Sequence, residues 1–387
     1  MFAALGLALL AKAMSPMFKT ARTFIAAIAL VPILAGCGGG GSSAPPVTVT
    51  PTPSPTPTPT ADKWAAVKAE VDGFSVSNVA LIVGNASGVR LRYERGAFKL
   101  TDTHLVASAS KMMAGLTILK MIEDGQMSLG DNPQKYLPYW TTSAADPRSR
   151  ITLAQLLAFT SGFNASDTPS GCISNAATTL QACAQDYYTQ GITSTPGANF
   201  FYSNGHLEIA GAMAEVAGSK SFSQLYRDKV AVPLGLGPVS GINFPSAANP
   251  RIAGGGSSTG DEYAKMLDGV LTGRLLNAAS VATFQTDQTA TAAFSFRPSA
   301  TTQLGDWHYT TASWRECDFS PYDSRCATGK GIISSPGAFG WTPWIDFDNG
   351  YYGLIAMEEG AANAANISVQ LEQRLQPMIV AALAAGG

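Results

Sequence analysis

A serine hydroxyl is a poor nucleophile until a base removes its proton. Ser108-Ala109-Ser110-Lys111 sets an amine three residues after a hydroxyl, and on a helix positions i and i+3 share a face, so the two groups can touch. Lysine serves as a base when burial disfavours its ammonium form. The run behind it is apolar on nearly every face, through Met112, Met113, Leu116, Ile118, Leu119, Met121 and Ile122. At the start of that helix, Ser108 would feel the positive end of the dipole, which favours an oxyanion. Alone, Ser-x-x-Lys is a weak signal, expected roughly once by chance in such a chain.

Two further groups give it company. Tyr202-Ser203-Asn204 falls between a loop and a helix. A phenol there can relay a proton between nucleophile and leaving group, and an asparagine amide can bond both a substrate carbonyl and the lysine. Near the end, Ser335-Pro336-Gly337-Ala338-Phe339-Gly340 leads into a strand. A glycine lets substrate lie against the strand edge, and the next N–H can point at a developing oxyanion.

The elements that must position these groups are legible in outline. A helix is expected over 64–71, then strands over 76–83 and 89–95 joined by a turn at 84–88. Residues 108–124 read as a helix buried on all sides, and Thr152-Leu153-Ala154-Gln155 as a capping box starting a short helix to about Phe159. Helices follow at 205–217, 221–231 and 261–271, then strands at 307–316, 339–347 and 351–357, the last two joined across Asp348-Asn349-Gly350. A helix over 366–384 closes the chain. The pattern predicts an α/β (α+β) fold. One antiparallel sheet is built from both chain ends and flanked by helices, and the middle forms a mostly helical lobe.

The order Ser-x-x-Lys, Tyr-x-Asn, then a small-residue strand with Gly resembles the penicillin-recognising serine hydrolases, with their β-lactamase/transpeptidase-like fold. It is most similar to class C β-lactamases, D-alanyl-D-alanine carboxypeptidases and carboxylesterases of that fold. Residues 122–129, 156–162 and 253–259 add to the resemblance, which spans about 62–385. It implies Ser108 as acylated nucleophile, Lys111 as base, Tyr202 as proton donor to the leaving group and later activator of water, and Asn204 as a substrate-orienting group. It also implies an oxyanion hole from the N–H groups of Ser108 and Ala338, with Ser335 and Gly337 against substrate. Many relatives carry Lys-Thr-Gly or His-x-Gly at the third motif, a cation that meets a carboxylate. Here Ser335-Pro336-Gly337 stands instead, and Gly329-Lys330-Gly331 is a different pattern. That shifts weight from β-lactams and D-alanyl peptides towards neutral esters or small amides. The stretch 337–340 also resembles esterase-like and 6-aminohexanoate-oligomer hydrolase members. A tethered sensor that acylates without turnover is the reading from another class.

A competing pattern needs weighing. Gly256-Ser257-Ser258-Thr259-Gly260 matches the nucleophile elbow of α/β-hydrolases, with Asp287 and His308 as partners. That elbow needs a buried strand before it and alternating β-α units around it, and residues 249–254 are a poor strand. His206 and His308 read as locally hydrogen-bonded, and Trp341 and Trp344 as sheet packing.

Of the 387 residues, 46% are hydrophobic and the net charge is −2 with no basic run. That supports a large core and argues against nucleic acid as a partner. The three histidines lie far apart and no His/Cys spacing suits zinc, so neither a metal nor a cofactor is expected. Lys19 and Arg22, the apolar run 24–34 and Leu34-Ala35-Gly36-Cys37 resemble a bacterial lipoprotein signal peptide, with the lipobox Cys37 lipidated. Translation could equally start at Met14 or Met17. Residues 38–61, rich in Gly, Ser, Pro and Thr, read as a disordered linker. The hydrolase domain would then span 62–387, with 62–105 and 255–387 in the α/β lobe and 106–254 in the helical one. A membrane is therefore expected as partner through the lipid, on the periplasmic face of a bacterial envelope. The remaining cysteines fall into close pairs, Cys172 with Cys183 and Cys317 with Cys326, although four permit three connectivities.

Overall fold

The run Val79–Val83 is apolar without alternation, because both faces of its strand are covered. Val79, Leu81 and Val83 enter one core and Ala80 and Ile82 another, the period-two division that a strand imposes. The computed structural model describes residues 62–303, 305–327, 329–357 and 363–385. Cys37, the signal segment and the linker lie outside them.

In chain order the strands are β1 (Val79–Asn85), β2 (Gly88–Arg95), β3 (His104–Leu105), β4 (Asn199–Phe201), β5 (Gly241–Ile242), β6 (Gly256–Ser258), β7 (Ala293–Phe296), β8 (His308–Tyr309), β9 (Trp314–Arg315), β10 (Ile332–Ser334), β11 (Thr342–Asp346) and β12 (Tyr351–Met357). The helices are α1 (Ala65–Gly73), α2 (Ser110–Glu123), α3 (Leu153–Leu157), α4 (Leu180–Gln190), α5 (Gly205–Gly218), α6 (Phe222–Tyr226), α7 (Gly260–Leu271), α8 (Ala278–Gln285), α9 (Ser324–Ala327) and α10 (Ala364–Ala384). The main sheet has the order β2-β1-β12-β11-β10-β9-β8, antiparallel throughout. Within it β1 pairs with β12, so the two ends of the domain meet in register from Val79↔Met357 to Asn85↔Tyr351.

Helices α1 and α10 share the outer core with the sheet: Val67, Val71, Leu371, Leu375 and Ile379 pack with Val79, Leu81, Trp344, Tyr351 and Ile355. The inner core holds α2, whose Met112, Met113, Leu116, Ile118, Leu119 and Met121 are all buried. That is the all-round burial its composition requires. At Gly115 an added Cβ would lie 2.8 Å from the Thr311 carbonyl, so glycine lets α2 approach the β8–β9 turn. The expected capping box forms at Thr152 and Gln155.

Three expectations need correction. The strand expected over 307–316 is two short strands, because Thr310 N–H donates to Ser313 at 2.8 Å and Ala312 turns to φ 55° to give its N–H to Leu157. The strand expected from Phe339 starts at Thr342; Gly340, at φ 83°, puts residues 337–340 in a turn. The helix expected from Ser108 starts at Ser110, and Ser108 occupies a separate 3₁₀ turn, Ala107–Ala109.

Behind β9 and β10, Glu316 and the fully buried Glu372 share one donor, Gln376 Nε2. Burial and the neighbouring acids hold both carboxyls up, Glu316 to about 8. Raised carboxyls favour the fold most below their ordinary range, and that contribution is lost as pH rises towards 8. Glu372→Gln should therefore raise Tm relative to the parent, by more at pH 8 than at pH 5, about 2–4 °C per kcal/mol recovered. Thermal melts at both pH values check this; an equal shift at the two would contradict it.

Candidate active site

Ser108 stands on a turn whose carbonyls are each tied down. Ala107 O accepts from Ser110 Oγ at 2.5 Å, Ser108 O from Ser335 Oγ at 3.1 Å, and Ala109 O from Tyr263 at 2.8 Å. Ala107 holds φ 47°, a conformation costing a residue with a Cβ about 1–3 kcal/mol unless its surroundings enforce it. Those three bonds enforce it. Ser110 Oγ also accepts the Gly256 N–H at 2.8 Å, which ties the turn to β6.

One helical turn on, the Lys111 amine lies 3.0 Å from Ser108 Oγ and donates to the Ala253 carbonyl at 2.8 Å. It also sits 4.6 Å from the centre of the Tyr202 ring. Loss of water around this 2% exposed side chain, aided by the positive charge of Arg251 and opposed by Glu208, brings the ammonium down to about 7. Tyr202, half-buried with Trp314 stacked 5.3 Å away, moves the other way. Burial raises its hydroxyl to about 12, against the opposing pull of hydrogen bonds with Ser108 and Trp314. Near neutrality the amine can therefore accept a proton while the phenol keeps its own. The division of labour follows from that gap.

The third motif meets the Ser108 turn directly. At Gly337 an added Cβ would lie 2.3 Å from the Val106 carbonyl and 3.3 Å from the Ala109 nitrogen, so only glycine lets this segment come so close. Ala338 follows it in the turn closed by the Gly337–Trp341 bridge. Ser335 is 2% exposed and donates its hydroxyl to Ser108 O, which ties the third motif to the Ser108 turn. Nor does Asn204 reach the lysine. Its amide donates to Ser166 O at 2.6 Å, and the carbonyl beside Lys111 comes from Ala253.

The competing triad is not assembled. Asp287 and His308 do pair, at 2.7 Å, with Tyr322 stacked on the imidazole at the edge of the main sheet. Ser258 lies on β6 in another sheet, fully buried, its hydroxyl on Thr259 O at 2.9 Å. Both ring nitrogens of His206 are engaged, with Ser161 Oγ and Phe201 O. Trp341 and Trp344 are buried in the sheet cores. Both disulfides are present, Cys172–Cys183 and Cys317–Cys326.

Sequence reasoning missed Ala253, Arg251 and Glu208. A carbonyl leaves no mark in a sequence, but Glu208 did leave one: it is an acid inside the otherwise apolar run 207–214.

The profile of the beta-lactamase family matches residues 79–369, three quarters of the chain. The chain belongs to the beta-lactamase family. A beta-lactamase candidate from Bacteroides dorei DSM 17855 superposes with a TM-score of 0.69 at 27% identity, over 81% of this chain and 97% of that one. EstCE1, a hydrolase with promiscuous acyltransferase activity, shares the fold at 16% identity, with a TM-score of 0.63 over 80% of this chain and 97% of its own. Protein flp of Staphylococcus aureus (strain MW2) is 28% identical over 134 residues, 35% of this family member and only 27% of flp.

Two measurements probe this geometry. Labelling of Ser108 by a fluorophosphonate should rise with pH about a midpoint near 7, where the Lys111 amine loses its charge; a rate flat from pH 5 to 9 would contradict the assignment. Gly337→Ala should cost about 10²-fold in turnover, the scale of a lost oxyanion donor, with a folded protein by circular dichroism.

Proposed function

We propose that this protein is a serine hydrolase of neutral esters or small amides, working through an acyl-enzyme on Ser108. The observation that carries the reading is a buried amine, its ammonium destabilised by desolvation, 3.0 Å from a hydroxyl on an enforced turn. As Ser108 Oγ bonds to the substrate carbonyl carbon, its proton passes to Lys111. Negative charge collects on the carbonyl oxygen between the N–H groups of Ser108 and Ala338, which act as preformed donors. The bond to the leaving group then breaks, and that group takes a proton from Tyr202, which recovers one from Lys111. Water repeats the sequence on the acyl carbon and frees Ser108.

The preference for a neutral substrate rests on Ser335. It stands where a cation would meet a carboxylate, and its hydroxyl is already committed to Ser108 O. Arg315, on the β9 strand that pairs with β10, donates to the carbonyls of Gln285, Cys326, Gly329 and Lys330. EstCE1 shows that this fold accommodates hydrolase and acyltransferase chemistry. Export belongs to the same proposal: two disulfides suit an oxidising compartment, and Cys37 would carry the lipid that holds the domain to a bacterial membrane.

The detergent-solubilised chain, assayed on nitrophenyl esters, a chromogenic cephalosporin and D-alanyl peptides, tests the substrate class. Turnover of the esters at least 10²-fold above the other two is the predicted outcome; the reverse order would make it a β-lactamase or carboxypeptidase. Stoichiometric acylation with no turnover would make it a sensor. Ser108→Ala should abolish both turnover and labelling, whereas Ser258→Ala should leave labelling intact. Cys37→Ala should move the protein from the membrane fraction to the soluble one.

A further inference from the structure

Behind Lys111 lies a second buried ionisable group that the mechanism above does not use. Glu208, the fourth residue of α5, is fully buried. Its Oε1 faces the Ala253 N–H at 3.4 Å, and its Oε2 has no hydrogen-bond partner. The carbonyl of that same Ala253 takes the Lys111 amine at 2.8 Å. One residue thus has its N–H on the carboxyl and its C=O on the base. Two residues earlier, Arg251 begins the tight loop: its carbonyl accepts from Gly254 and Gly255, and its own N–H donates to Phe244 at 2.8 Å. Its Nε is buried without a partner. The guanidinium makes no ion pair with Glu208, yet its charge acts on both Glu208 and Lys111.

We propose that Glu208 and Arg251 are positioning residues for Lys111. Through Ala253 they aim its amine at Ser108, and their opposed charges decide whether that amine carries a proton. The inference rests on the acyl-enzyme reading of the site.

The electrostatics agree with the geometry. Desolvation raises Glu208 to about 8, only partly offset by the backbone N–H of Ala253, Arg251, the Ile252 N–H and Lys111. An acid with that affinity and an amine near 7 titrate as a pair. At low pH the pair holds two protons. In the working range it holds one, on either the carboxyl or the amine, and only the form with a neutral acid and a free amine can take the Ser108 proton. Arg251 repels an ammonium on Lys111, although it also favours an ionised Glu208, while an ionised Glu208 favours the ammonium. The remaining titratable groups facing the pair are Tyr187 from α4, with Asp167 beyond it, and the Tyr202 ring over Lys111. Tyr187 is held protonated by burial, so the charge that can change lies on Glu208 and Lys111.

The test is the pH dependence of fluorophosphonate labelling of Ser108 in the full chain, for the parent, Glu208→Gln and Arg251→Met. Glu208→Gln is isosteric, and Arg251→Met keeps an unbranched apolar stem without the charged end. Glu208→Gln should move the acid-limb midpoint down by about half a unit and Arg251→Met should move it up by a similar amount. Thermal melts confirm that each variant is folded. A purely structural role would lower the rate at every pH and leave the midpoint in place; that result, or two shifts of the same sign, would overturn the proposal while the acyl-enzyme reading stands. A parent that does not label at all would overturn both. If Arg251→Met fails to fold, the Glu208→Gln midpoint alone decides.

Discussion

The whole site depends on keeping one amine dry. An exposed lysine is protonated at neutral pH and useless as a base, and only desolvation against an apolar surround brings it to where it can take a proton from serine. The apolar run of α2 is what makes the surround, and it can be apolar on every face because layers of structure lie on every side of it. The same burial separates the two proton carriers, since it lowers the amine and raises the phenol of Tyr202.

The second constraint is close approach. The chain ends build the sheet through β1 and β12, and β10 delivers Ser335 and Gly337 to the turn that carries Ser108. Strain at Ala107 is tolerated because hydroxyls from Ser110, Ser335 and Tyr263 satisfy three successive carbonyls. Those hydroxyls come from α2, the segment after β10, and α7. Ser108 is therefore held in place by distant parts of the sequence.

That explains what the sequence could and could not disclose. Strands β1, β2 and β12, helices α2, α3, α5 and α10 and both cysteine pairings were legible, because periodicity, capping residues and spacing are local. Ser108, Lys111 and Tyr202 were legible as motifs and are neighbours in space. The break between β8 and β9 was not, since it answers to the Leu157 carbonyl and to α2 packing on Thr311. Nor were α4 or the roles of Asn204 and Ser335, whose side chains take backbone carbonyls of Ser166 and Ser108 that no pattern marks. Ala253 acts through its backbone alone, so its residue type carries no information. Glu208 was visible as an anomaly, an acid in an apolar helix, but its meaning needs the loop at 251–255 beside it.

The account stands on the charge state of one side chain. Carbon-13 NMR of the resting protein, labelled at lysine Cε and with Lys111 assigned by its loss in Lys111→Met, reads that charge directly as pH is varied. The account predicts a transition near pH 7, well apart from the surface lysines. A Lys111 signal that titrates with them above pH 10 would contradict it.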